Sequence, residues 1–161
     1  MMFNRDDAPS NRPLLAFVLL SLLVGGAATF FTEPSIPTWY AALNKPGFNP
    51  PDWVFAPVWT TLYVLMGVAA ARVWKLTGFG IAIQAWAAQL ALNFCWSAIF
   101  FTLHLIGAAL LEMAALWLAV LATLLLFIRR DQIAGLLMLP YLLWVTFAFA
   151  LNLAIWRLNA G

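Results

Sequence analysis

The sequence predicts an all-α integral membrane protein, a bundle of five transmembrane helices with a proline-rich lid loop between the first and second. Three observations lead there. Of 161 residues, 65% are hydrophobic and only 9% charged, and the mean hydropathy is +0.94. A soluble domain is roughly half apolar and about a quarter charged. This chain therefore lacks the polar groups to cover its surface as a water-soluble monomer, and its apolar content excludes intrinsic disorder. The charge-free stretches are 13–32, 53–71, 76–111, 113–128 and 132–156. A helix needs about 20 mostly apolar residues to cross a bilayer. Continuous apolar runs such as 14–24 lack the alternation of a membrane β-barrel.

Taken in order, the predicted spans are 13–32, 53–75, 80–103, 106–128 and 132–156, within a single domain, 1–161. The first follows Arg12 and continues through Phe30 and Phe31. Arg12, the apolar core and Gly26-Ala27-Ala28 also fit a cleaved signal peptide, but the apolar run past Ala28 is long enough to span. The second begins near Trp53, with Pro57 in its first turns, where proline is tolerated. The third and fourth divide the stretch 76–128, which only Glu112 interrupts, with a turn near 104–107. The fifth follows Arg129, Arg130 and Asp131, and Pro140 falls in its first turns or so. No internal repeat is visible, and an odd number of spans weakens an inverted-repeat transporter.

With five spans, the N-terminus and the loops 72–79 and 129–131 share one side. That side carries Arg5, Arg12, Arg72, Lys75, Arg129 and Arg130, and the other only Lys45 and Arg157. The positive-inside rule places the N-terminus inside and the C-terminus outside. The formal net charge is +2, with no basic block of the kind that grips nucleic acid. Cys95 and His104 are the only cysteine and histidine, so neither an internal disulfide nor a four-ligand protein zinc site can form, and no metal site is expected.

Residues 33–52 are unlike the other connections. Pro34, Pro37, Pro46, Pro50 and Pro51 should block regular helix or sheet there. A structureless connection this long is uncommon and often functional. Trp39, Tyr40 and Phe48 would suit either a lid over the bundle or an interfacial segment with its rings at headgroup level.

At about 100° per residue, Trp86, Gln89, Asn93, Trp96, Ser97 and Phe100 share one face of the third span. Tyr141, Trp144, Ala148 and Asn152 share one of the fifth, and Trp59, Tyr63, Met66 and Ala70 one of the second. Helix packing explains any single residue of these stripes, because amides glue helices and aromatics fill gaps. The nine tryptophans, mixed with amides away from the basic loops, also suit a pocket for a large, flat, apolar ligand. Glu112, about two turns into its span, is a functional candidate by default. A neutral or snorkelling glutamate is the alternative. His104 fits an exposed turn better than an axial haem ligand, and Cys95 a small packing residue. The pair Ala87/Ala91 permits close helix approach, with little specificity.

Residues 39–63 read WYAALNKPGFNPPDWVFAPVWTTLY, residues 89–101 QLALNFCWSAIFF and residues 140–152 PYLLWVTFAFALN. In this order and spacing they resemble the tryptophan-rich sensory protein/translocator protein (TspO) family, also called the peripheral benzodiazepine receptor family, over roughly residues 14–158. The resemblance implies a five-helix bundle, often a homodimer, closed on one side by the lid. It implies a pocket for porphyrins such as protoporphyrin IX and for benzodiazepine-site drugs. Carried over by motif, the pocket is Tyr40, Pro46, Phe48, Trp59, Asn93, Trp96, Trp144, Ala148 and Leu151. Trp59 and Trp144 match the tryptophans implicated in light-dependent porphyrin breakdown, and Glu112 falls where relatives carry an acidic residue. Family members also bind cholesterol. Here residues 151–157, LNLAIWR, lack the tyrosine of the family's sterol pattern, itself a weak one. Many relatives carry tryptophan where this chain has Phe48.

The functional expectation is a membrane protein that binds tetrapyrroles as sensor, regulator or carrier, with no obligatory cofactor. Two other roles follow from the same resemblance: light-dependent degradation of the porphyrin, and transport of porphyrin or sterol across the membrane. No conventional catalytic apparatus is legible, so any chemistry would be porphyrin-sensitised. Expected partners are the bilayer, a porphyrin, cholesterol or another lipid, and a second copy of the chain, and no nucleic acid.

Overall fold

A computed structural model describes residues 11–160. Five helices carry the fold: α1 (Arg12–Thr32), α2 (Phe55–Thr77), α3 (Ile81–Ser97), α4 (Ile106–Ile128) and α5 (Gln132–Asn159). With their short extensions, all five are long and apolar enough to cross a membrane. Arg5, one of the charges behind the predicted orientation, lies outside the described residues.

Each boundary has a local cause. Pro13 stands in the first turn of α1, where its missing N–H costs nothing. Gly78 ends α2 with φ +62°, a backbone that favours glycine, and its N–H donates to Trp74 O at 2.8 Å. His104, at φ +57°, makes the tight turn between α3 and α4. Asp131 caps α5, accepting from the N–H of Ile133 (2.9 Å) and Ala134 (3.2 Å). Pro140 lies inside α5, deeper than its first turn, and the helix continues through it.

Residues 33–52 correct the sequence reading. The first half is not irregular. A 3₁₀ turn, Glu33–Ser35, and a π-helical turn, Ile36–Tyr40, prolong α1. Pro34 and Pro37 sit at the first or second position of these turns, where a helix makes no use of the N–H that proline lacks. Only 43–51 is free of helix, before a 3₁₀ turn, Asp52–Val54, leads into α2.

The helices form a closed ring in the order α1, α2, α5, α4, α3 and back to α1. The core inside it holds Met66, Trp86, Leu90, Met113, Leu116, Val120, Phe127, Met138, Tyr141 and Val145. A second cluster, Tyr40, Phe100, Phe101, Ala109, Leu151 and Ile155, lies beneath the 33–51 segment. Leu15, Leu23, Phe30, Leu111, Leu118 and Leu143 face outward, where a bilayer rather than water would be their solvent. Gly67 lets α1 and α2 touch: a Cβ there would lie 2.6 Å from the Cα of Val18.

Candidate functional site

The 33–51 segment lies over one end of the ring and is held there by specific contacts. Ser35 Oγ donates to Phe101 O at 2.6 Å. Trp39 stacks on His104, centroids 4.2 Å apart and planes within 13°, and meets Phe100 edge-on. Tyr40 is buried, and its hydroxyl donates to Asn49 Oδ1 at 2.9 Å. Lys45 Nζ donates to Tyr40 O at 2.6 Å and sits 4.7 Å from the Tyr40 ring. Asn44 and Asn159 clasp the segment to the end of α5: Asn44 N donates to Asn159 Oδ1 (3.0 Å), and Asn159 Nδ2 to Asn44 O (2.9 Å).

Beneath this segment lies a cavity of about 120 Å³, walled by the rings of Tyr40, Phe55, Trp96, Phe100 and Phe101 and by Ile36, Ala148, Leu151 and Ile155. Thr32, Asp52 and Asn152 complete a wall that is almost wholly apolar. A second space, about 360 Å³, opens between α1 and α2 past Gly25, Gly26, Trp59, Thr60 and Tyr63. The two share Thr32, Ile36, Asp52 and Phe55. Typical small-molecule sites occupy roughly 300–1,000 Å³. The first cavity alone is too small for such a ligand, whereas the two adjoining spaces taken together are not.

The residues singled out from sequence fall into three groups. Tyr40, Trp96, Ala148 and Leu151 line the first cavity. Trp59 lines the second and meets Trp144 nearly perpendicular at 6.4 Å. Trp144 also packs on Phe55 and Phe147 and lines an outward groove between α2 and α5 with Pro57 and Pro140. Asn93, Pro46 and Phe48 line neither cavity. Asn93 bridges the bundle: it accepts from the Tyr63 hydroxyl and donates to Tyr141 Oη at 3.1 Å. That bridge ties α2, α3 and α5 together. Phe48 is 53% exposed, its ring near Phe147, and Pro46 O accepts from Asn49 N.

Sequence reasoning did not place Ile36, Asp52, Phe55, Phe100, Phe101, Asn152 or Ile155 in the pocket. Phe100 and Asn152 already lie on the stripes of the third and fifth spans, so their signal was present. Ile36 and Asp52 carried none, because their positions follow from the path of the 33–51 segment.

Several buried polar atoms have no partner among the described residues: Trp96 Nε1, both ends of the Asn152 amide, Trp144 Nε1 and both Glu112 carboxyl oxygens. Deeper in the ring, Trp86 Nε1 and Gln89 Oε1 are also unpaired. Glu112 lies in α4 and lines neither cavity. Among the described residues, no group of three or more His, Cys, Asp or Glu side chains could hold a metal ion. Cys95 is exposed.

Five helices able to span a membrane, closed into a ring with an aromatic-walled cavity at one end, define a multi-pass membrane protein. The chain belongs to the TspO/MBR family, whose sequence profile matches residues 17–157. It is 45% identical over 150 residues to the Tryptophan-rich protein TspO of Archaeoglobus fulgidus, covering 91% of this chain and 97% of that one. Against a Tryptophan-rich sensory protein of Cereibacter sphaeroides the identity is 48% over 121 residues, 75% and 77% of the two chains. Against the Translocator protein of Homo sapiens it is 37% over 159 residues, 96% and 94%. The protein is thus an integral multi-pass membrane protein of this family.

Proposed function

We propose that the protein binds a tetrapyrrole, protoporphyrin IX in the first instance, beneath the 33–51 segment, and acts as a sensor, regulator or carrier in porphyrin metabolism. The observation that carries this reading is the ring-walled cavity that shares a wall with the space beside Trp59. Flat aromatic walls suit a flat macrocycle, which gains dispersion and apolar burial over its whole face. The segment then serves as a lid, and because the first cavity is small, the lid shifts to admit the ring. Benzodiazepine-site drugs, also aromatic and apolar, would use the same space. Names of relatives, sensory protein and translocator protein, agree with a role in sensing or carriage.

Under light and oxygen, a bound porphyrin would have Trp59 beside it as an electron donor, with Trp144 behind it in ring contact with Trp59. That arrangement supports porphyrin-sensitised breakdown as a secondary activity. The basic residues Arg12, Arg72, Lys75, Arg129 and Arg130 gather at the end of the ring opposite the lid, so the N-terminus faces inside and the lid outside. Reporter fusions at both termini test this, and an outside N-terminus would overturn it. Ala87 and Ala91 are exposed on α3, where they leave room for a second copy of the chain in a homodimer.

The test of binding is a dark titration of protoporphyrin IX into detergent-purified protein, read by tryptophan quenching, with Trp59→Phe/Trp144→Phe alongside. Saturable quenching with a low-micromolar midpoint, on the order of −8 kcal/mol of binding, is expected, weakened in the double variant. Absence of saturable quenching would remove the tetrapyrrole reading and leave the family and fold in place.

A further inference from the structure

Within the ring-walled cavity, Asn152 is 2% exposed, and neither its Oδ1 nor its Nδ2 has a partner among the described residues. Trp96, which lines the same cavity, has a buried Nε1 that is also unpaired. The hydroxyls nearby are occupied: Tyr40 donates to Asn49, and Thr32 Oγ1 to Ala28 O at 3.1 Å. Buried polar groups in native proteins are nearly always hydrogen-bonded, and an amide with both ends open is a costly exception that needs a cause.

The unmet set is two donors and one acceptor. A carboxylate would satisfy the donors, leave Oδ1 unmet and bring a second anion into a cavity that already holds Asp52. A protonated carboxylic acid matches the amide at both ends: its carbonyl accepts from Asn152 Nδ2, and its hydroxyl donates to Asn152 Oδ1. Apolar surroundings favour this neutral form over the ion. An entirely apolar ligand would leave the amide as costly as before.

We propose that Asn152, in the wall of the cavity that Trp96 also lines, receives a protonated carboxylic acid carried on the edge of a flat aromatic ligand, and so sets the ligand's orientation and specificity. The inference rests on the tetrapyrrole reading only for the identity of the flat body, since the propionic acids of protoporphyrin IX supply such a group.

The experiment pairs two acids with their esters in detergent-purified full-length protein: protoporphyrin IX against its dimethyl ester, and pyrenebutyric acid against its methyl ester. Wild type should prefer each acid about tenfold, the factor that one net hydrogen bond supplies. Asn152→Leu, similar in size but without the amide, should bring acid and ester within about twofold while affinity for the ester holds. An acid preference that survives Asn152→Leu would overturn the proposal, as would its absence in wild type, a comparison that needs no variant. Asn152→Ala replaces the leucine variant if that fails to fold. If neither porphyrin binds, the tetrapyrrole reading fails by itself. The pyrene pair then decides: discrimination that depends on Asn152 supports the proposal, and equal binding overturns it.

Discussion

At the end of the ring carrying residues 78–80 and 129–131, short local bonds lock each turn. Asp131 caps α5 and pairs with Arg72 Nε at 2.8 Å, joining α2 to α5. The N–H groups of Arg130 and Asp131 both donate to Phe127 O, and Gly135 packs directly against Ile128. At the other end, the 33–51 segment rests on long-range contacts, with Asn44 on Asn159, Ser35 on Phe101 and Trp39 on His104. Beneath it Asn152 and Trp96 keep unpaired polar atoms. One end is built to hold the bundle shut; the other leaves the open space that the proposed ligand would fill. On that proposal stability and recognition are separated along the membrane normal, with the Tyr63–Asn93–Tyr141 bridge between them.

The comparison breaks most forcefully at Gly135. A Cβ there would collide with Ile128, whose Cα would be 2.7 Å away. Gly135→Ala should cost about 1–3 kcal/mol as an overpacked contact. In detergent the melting temperature should fall clearly while the folded fraction keeps its ligand affinity. A variant as stable as wild type would show that this end is looser than its geometry implies.

Asp131 gives a smaller, pH-dependent effect. Burial is the largest single influence and raises its carboxyl's pKa, but the Arg72 hydrogen bond and charge and the two amides it accepts from together outweigh it and hold the carboxyl below the usual carboxylate range. The folded state therefore binds the proton more weakly than the unfolded chain. The resulting stability is present above the ordinary aspartate value, near pH ~4, and is lost as pH falls through the folded-state value. Asp131→Asn keeps a capping side chain and removes the charge. It should cost about 0.5–1 kcal/mol at neutral pH and flatten the acid limb of a stability–pH curve. An unchanged acid limb would mean that another carboxylate governs it.

The smallest global effect belongs to the 33–51 segment. Asn159→Ala removes the clasp on Asn44 and the bond to Ile155 O. These bonds are mostly exposed, so the melting temperature should barely move. Hydrogen exchange at the Asn44 amide should speed up several-fold, matching about 1 kcal/mol of local opening. Unchanged exchange would mean that Tyr40, Trp39 and Ser35 hold the segment without it.

Much of this was legible in the chain. Arg72, Arg129, Arg130 and Arg157 bracket the apolar runs, and the cost of a charge in hydrocarbon makes them punctuation. The stripe of Trp86, Gln89, Asn93, Ser97 and Phe100 reads directly as a buried face. Other features were not legible. Pro34 and Pro37 read as breakers because composition does not say whether a proline stands inside a turn or at its start. Asn93 and Asn152 are the same residue type on comparable stripes. One is consumed by two tyrosines and the other left open in a cavity, and only the arrangement of neighbouring helices separates them.

The sequence by itself determined that the chain enters the membrane, how many times it crosses and which family it belongs to. Those depend on hydropathy and local motif, quantities summed along the chain. The tertiary structure alone decided the order of helices around the ring, the helical course of residues 33–42 and which polar groups find partners. It also decided that the cavity lies at the end covered by residues 33–51. These depend on which side chains from distant segments meet, and contacts of that kind leave no periodic trace in the residues that make them.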